Sequence, residues 1–174
     1  MTALARLLQL ASPALPVGAY SYSQGLEAAV EAGIVTDAES AGCWIGDALT
    51  LNIAKFEAPA WCRLYDAWES REFGEVRRLN ALFCATRETA ELRAETLQMG
   101  YSLRRLCVEL GEFEAGATVE LQSMEEIVFP AVFAFVAAQW AIPVRDALVA
   151  YLWSWLENQV MAALKAVPLG QTDG

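Results

Sequence analysis

From Val144 to Leu164 apolar side chains return every three or four residues: Val144, Ala147, Leu148, Tyr151, Leu152, Trp155, Leu156, Val160 and Leu164. A strand would alternate every second residue, so this stripe commits the segment to an α-helix of about six turns. Val149, Trp153 and Met161 fall off the stripe. The helix is therefore apolar on more than one side, the pattern expected of a central helix in a bundle. Trp155 is expected in the core, while Trp153 fits either core or surface.

Helical spacing continues through most of the chain, and strand alternation is scarce. Residues 2–10 read as a short helix followed by a proline-containing loop, Ser12 to Val17. Ser21 and Gln24 have capping-box spacing and predict a helix running to Ala32, with Gly33 ending it. Thr36 and Glu39 repeat that start signal. The helix after them places Ile45, Leu49, Asn52, Ile53 and Phe56 on one stripe, and Pro59 restarts the chain as a first helical residue. Residues 75–109 are rich in strong helix formers, with Gly100 as the weak point where one helix could kink or become two. Gly111 and Gly116 flank an acidic turn. Pro130 and Pro143 suit first-turn positions of helices about 12 and 24 residues long. No linker or repeat interrupts the pattern, which predicts an all-α, single-domain helical bundle over residues 1–174.

The chain is 56% hydrophobic, above the 45–50% or so of typical soluble domains. Its longest apolar stretch, Ile127 to Ala138, is twelve residues and contains Pro130, whereas a membrane-spanning helix needs about 20. Leu7 to Leu10 is too short for a signal peptide and lacks a basic run before it. Both observations favour a soluble cytosolic protein whose surplus apolar surface is covered by other proteins. The net charge of −10 opposes nucleic-acid binding. The chain has no histidine, which removes Ser-His-Asp and Cys-His catalysis and histidine-ligated zinc. Cys43, Cys62, Cys84 and Cys107 form no C-x-x-C pair and read as small core residues rather than as a metal site.

Other constellations have modest readings. Val17 to Gly25 is small and hydroxyl-rich ahead of a helix, but lacks the lysine of a phosphate-binding loop; capping by its serines is the simpler account. Glu125–Glu126, and Glu88, Glu91 and Glu95 beside Arg87 and Arg93, read as a solvated ion-paired face. A carboxylate metal site is the less favoured alternative. Trp140, Tyr151, Trp153 and Trp155 read as core before interface. Lys165 suits the C-terminal dipole of its helix.

Two segments resemble the urease accessory protein F family, UreF. The first runs from Leu7 to Val30, LLQLASPALPVGAYSYSQGLEAAV. The second joins Trp155-Leu156-Glu157 and Val160-Met161-Ala162 to Lys165 through Gln171. The middle fits through Cys84 to Thr89 and Glu91-Leu92-Arg93. The resemblance implies a non-enzymatic, all-helical cytosolic adaptor without a cofactor. It would form a homodimer and bind a UreD-type accessory protein (UreH in some organisms). That pair would recruit the nickel GTPase UreG to urease apoprotein for nickel insertion. Neither nucleic acid nor membrane is an implied partner. Glu27 and Lys165 match positions of the family's GTPase-facing surface. Tyr20, Ser21, Tyr22, Ser23 and Gln24 match the first motif's centre; Pro168, Gly170 and Gln171 belong to the second. Family members usually continue past that second segment, so the resemblance implies a further C-terminal tail that helps engage the UreD-type partner. The alternative is a GTPase-activating protein acting on UreG with an arginine in trans, for which Arg87, Arg93, Arg104 and Arg105 would be the candidates.

Overall fold

The computed structural model describes residues 2–167, apart from the side chain of Tyr20. It is all-α, with no strand among the described residues. The helices are α1 (Ala3–Leu10), α2 (Leu26–Glu31), α3 (Ala38–Asp47), α4 (Ala58–Glu69), α5 (Phe73–Ala85), α6 (Ala90–Leu110), α7 (Ala115–Ser123), α8 (Phe129–Gln139) and α9 (Val144–Ala166). A 3₁₀ turn, Ala19–Ser21, precedes α2, and a π-helical segment, Ala48–Glu57, joins α3 to α4 without a break.

The central element is α8, not α9. Ala131, Val132, Phe133, Ala134, Phe135 and Ala137 are fully shielded, because α8 is apolar on every side and lies between α4 and α6. Each large side chain buried there contributes about 1.5–3 kcal/mol. Two hydrogen bonds fix the register of α4 beside it. The Trp68 indole donates to the Ala131 carbonyl at 2.9 Å and the Tyr65 hydroxyl to the Ile142 carbonyl at 2.7 Å. In contrast, α9 buries one face: Ala147, Ala150, Tyr151, Gln159 and Ala163 point inward, while Val149 and Trp153 are exposed. Arg145, Asp146, Glu157 and Asn158 interrupt its apolar surface and keep it at the side of the bundle. Trp155 is half-buried against a second, smaller core formed by α2, α3 and the end of α9.

Three expected boundaries move. Residues 75–109 do form two helices, but the break falls between Ala85 and Ala90, where Thr89 caps α6. Gly100 lies inside an unbroken α6. Ser21 and Gln24 form no capping box: α2 begins only at Leu26, with Gly25 as its N-cap. The cause is backbone geometry, since Gln24 and Gly25 both have positive φ, 50° and 88°, and a residue in that region cannot continue a right-handed helix. Gly33, at φ 70°, ends α2 as expected. The next start shifts by one residue, to a capping box between Asp37 and Ser40.

The π segment changes which residues face inward. Ala41, Ile45, Ile53, Glu57, Trp61 and Tyr65 are all buried at multiples of four residues. In a pure α-helix a four-residue step overshoots the 3.6-residue turn and the stripe drifts. The wider i→i+5 turn rotates less per residue and brings the stripe back; the Ala58 amide, bonded to the Ile53 carbonyl, marks this register. Consequently Asn52 is exposed and Phe56 only half-buried, while Glu57 goes into the interior.

Candidate functional site

The N-terminal loop from Leu10 to Gly25 lies against α9 and is tied there by side chains. The Asn158 amide donates to the Tyr22 carbonyl at 2.9 Å. Gln24 is bonded at both ends of its amide: its Nε2 donates to Glu95 Oε1 at 2.7 Å, and its Oε1 accepts from the Trp155 indole at 2.7 Å. Because the two partners are an acceptor and a donor, they fix the amide's orientation. The left-handed backbone of Gln24 costs about 1–2 kcal/mol, which this double engagement offsets. Gln24 thus clamps the first motif to α6 and α9 instead of capping α2.

Beneath the loop lies a buried polar network. Glu57, from the end of the π segment, accepts from Arg87 Nη1 at 2.9 Å and from the Tyr151 hydroxyl. Arg87 comes from the α5–α6 connection and Tyr151 from α9, so one carboxylate joins three elements. Trp61 stacks on Tyr151 with ring centroids 5.5 Å apart and holds the phenol in place. Burial, reinforced by the Glu57 charge, pushes the Tyr151 phenol well above its ordinary value, which makes it a permanent donor. Burial opposes the Arg87 charge, but its neighbours, the Glu57 carboxylate foremost and Glu95 in addition, more than restore it. Arg87 Nε remains without a partner among the described residues.

Between the loop, α6 and α9 the network borders a cavity of about 100 Å³. Gln24, Glu57, Arg87 and Glu95 reach its wall among apolar side chains such as Leu10 and Met99. The sequence spacing puts Glu95 on a solvated face, yet it is only 5% exposed. Packing of the first motif over α6 covers it. Burial raises the Glu95 carboxyl above the ordinary range; the Gln24 bond and Arg87 offset part of this, and Glu57 adds to it. A raised carboxylate pKa favours the folded state while the group is protonated, and that contribution is lost as pH rises through the folded-state pKa. Relative to Glu95→Gln, the wild type should therefore lose stability as pH rises from the ordinary carboxylate range upward. Urea unfolding at stepped pH measures the difference. A pH-independent difference would show that Glu95 is not held in a medium hostile to its charge.

The other sequence candidates are dispersed. Glu27 is exposed in the first turn of α2, and Lys165 is exposed in the last turn of α9; α2 packs on α9, so both belong to one end of the molecule. Ser21 is exposed, and Tyr22 and Ser23 are half-buried. The Tyr20 side chain, Pro168, Gly170 and Gln171 lie outside the described residues. Arg93 pairs with Glu126 at 2.8 Å and Arg105 with Glu109 at 2.8 Å, while Arg104 lies over the Tyr101 ring. A loop arginine absent from that set, Arg71, is 58% exposed but pairs with Glu114 at 3.1 Å. The four cysteines are free, with Cys84 and Cys107 buried and Cys43 exposed. No grouping of histidine, cysteine or acidic residues suited to a metal ion occurs among the described residues, and no described helix is long and apolar enough to cross a membrane.

The UreF family model matches residues 35–174. The chain is similar to the urease accessory protein UreF of Azoarcus sp. (strain BH72), with 58% identity over 98% of this chain and 74% of the relative. It is 56% identical to that of Dechloromonas aromatica (strain RCB), over 98% of this chain and 75% of the relative. It is also 50% identical to the bifunctional urease accessory protein UreEF of Bordetella bronchiseptica, over 98% of this chain and 40% of that protein.

Proposed function

The chain belongs to the UreF family of urease accessory proteins, and from that premise we propose that it is a non-enzymatic cytosolic adaptor for nickel insertion into urease. In this reading it works as a homodimer, binds a UreD-type partner, and with it recruits the GTPase UreG to urease apoprotein. The observation that carries the reading is identity above 50% to UreF accessory proteins along 98% of this chain. The surface agrees with it: Val149 and Trp153 on α9, and Leu4 and Leu8 on α1, are each more than half exposed, and α1 packs beside α9. Apolar surface of this kind, on a chain of net charge −10, suits burial against other proteins. The buried network serves to hold the first motif in one shape against α9. An arginine acting in trans is the weaker account, since Arg87 is committed to Glu57 and Arg93 and Arg105 to surface carboxylates.

Size-exclusion mixing tests the proposal. The chain, and a version extended to the length of its relatives, is run with a UreD-type protein, then with UreG, a GTP analogue and nickel. Co-elution of all three is expected. Glu27→Ala and Lys165→Ala should each weaken UreG retention about tenfold, equivalent to about 1.4 kcal/mol, without affecting the UreD-type partner. An extended chain that elutes alone in every mixture overturns the adaptor reading. Unchanged UreG retention in both variants removes Glu27 and Lys165 from the interface.

A further inference from the structure

The cavity behind the first motif has an unbalanced wall. Three carboxylates, Glu57, Glu95 and Glu157, border it against one guanidinium, Arg87. Arg87 and Glu57 neutralise each other at 2.9 Å. Glu95 feels Arg87 only through space and forms no direct ion pair among the described residues: its Oε1 accepts from the neutral Gln24 amide, and its Oε2 receives no hydrogen bond from any described residue. A carboxylate only 5% exposed with half its acceptor capacity unused gains most from a charged donor, because such bonds are about twice as strong as neutral ones. Around it the wall is largely apolar, with Leu10, Leu15, Met99 and Met161 among its residues. The space of about 100 Å³ is about three water volumes, enough for a small head group and the first carbons of its stem. An anion would meet the surplus negative charge, and a neutral amide would leave it uncompensated.

We infer that this cavity binds a cationic head group, guanidinium or ammonium, carried on a short aliphatic stem, with Glu95 as its counterion. Two sources share this chemistry: a free aliphatic amine or guanidine, and a lysine or arginine side chain reaching in from a bound protein. The second source rests on the adaptor reading; the first does not.

Thermal unfolding and calorimetric titration with n-butylguanidinium test the site. Its neutral isostere n-butylurea and the anion pentanoate are the controls. At twenty times its Kd, n-butylguanidinium should raise Tm by about 4 °C. Glu95→Gln, which keeps the side chain's shape, should weaken it at least tenfold. If n-butylurea or pentanoate binds as well as n-butylguanidinium, or if Glu95→Gln binds it equally, charge is not what the cavity reads and the inference fails. If none of the three binds at 50-fold the concentration of about 1 mM expected for so small a probe, the cavity holds ordered water only and the inference also fails. Once binding to Glu95 is seen, the same variant in the mixing experiment separates the sources. Assembly weakened about tenfold assigns the head group to a partner's side chain, and unchanged assembly assigns it to a free amine. Failure of the adaptor reading would show in the wild-type mixture, independently of the titration.

Discussion

Glu57→Ala should lower the unfolding free energy by about 3–5 kcal/mol, the usual cost of leaving one member of a buried ion pair without its partner. The substitution removes the acceptor of both Arg87 and Tyr151. The Arg87 side chain is only 17% exposed and Glu57 only 4%, so water entering from the adjoining cavity would offer only a neutral acceptor in place of the lost charge. The loss also falls where the π segment, the α5–α6 connection and α9 meet, so the three elements lose one shared fastening. Equilibrium urea unfolding reads the effect as a shift in midpoint at constant slope. Replacing both members of the pair, Glu57→Met with Arg87→Met, should cost less than Glu57→Ala, because the Arg87 charge is then not left buried without its partner, although the Tyr151 hydroxyl still loses its acceptor. A loss below about 1 kcal/mol for Glu57→Ala would mean that Arg87 swings out to solvent. In that case the pair is a peripheral contact and not the fastening of the site.

Glu57 also shows where the sequence stopped being legible. The helix around it was readable, and so was Ile45 on its buried stripe, but α-helical spacing assigns Asn52 and Phe56 to the inside and says nothing of Glu57. Only the wider turn of the π segment rotates that carboxylate inward, and no local residue preference announces ten residues of π-helix. Glu95 departs from its sequence pattern for a related reason. Its spacing from Glu88 and Glu91 matches a solvated face, and its burial depends on Gln24, which is 71 positions away and folded over it by two residues of positive φ. For Gln24, a serine three residues earlier made a cap the economical reading, but tertiary bonds to Glu95 and Trp155 overrode it. The central helix, in contrast, was visible in principle. Ile127 to Ala138 has no polar residue, and such a run short of membrane length belongs in the middle of a core. In α9 the off-stripe Val149 and Trp153 point to a central helix, but both are exposed, and the helix lies at the side of the bundle with one wet face.

Gly100→Ala should destabilise the protein by about 3 kcal/mol or more, although the same change in an open helix stabilises. Alanine is favoured over glycine by up to about 1 kcal/mol in a helix interior, so the sign depends on what a Cβ would meet. At Gly100 it would lie 2.1 Å from the Ile127 carbonyl oxygen and 2.8 Å from the Val128 carbonyl carbon. Both are backbone atoms, which cannot rotate away as a side-chain tip could. The segment they belong to is held from the other side by Asn80, whose amide donates to the Glu126 carbonyl at 3.0 Å and whose oxygen accepts from the Val128 amide at 2.9 Å. Moving residues 127–128 away from α6 would break those bonds at the entrance to α8, and α8 carries Phe129 and Pro130 to the cavity wall. The clash therefore outweighs propensity. Gly42→Ala in α3, where a Cβ would meet nothing within 4 Å, should show the opposite sign and gain up to about 1 kcal/mol. Urea midpoints of the two variants measured together give the test. A Gly100→Ala protein as stable as the wild type would show that the 126–128 segment can yield, and that the close approach of α6 to it is not what sets the position of the central helix.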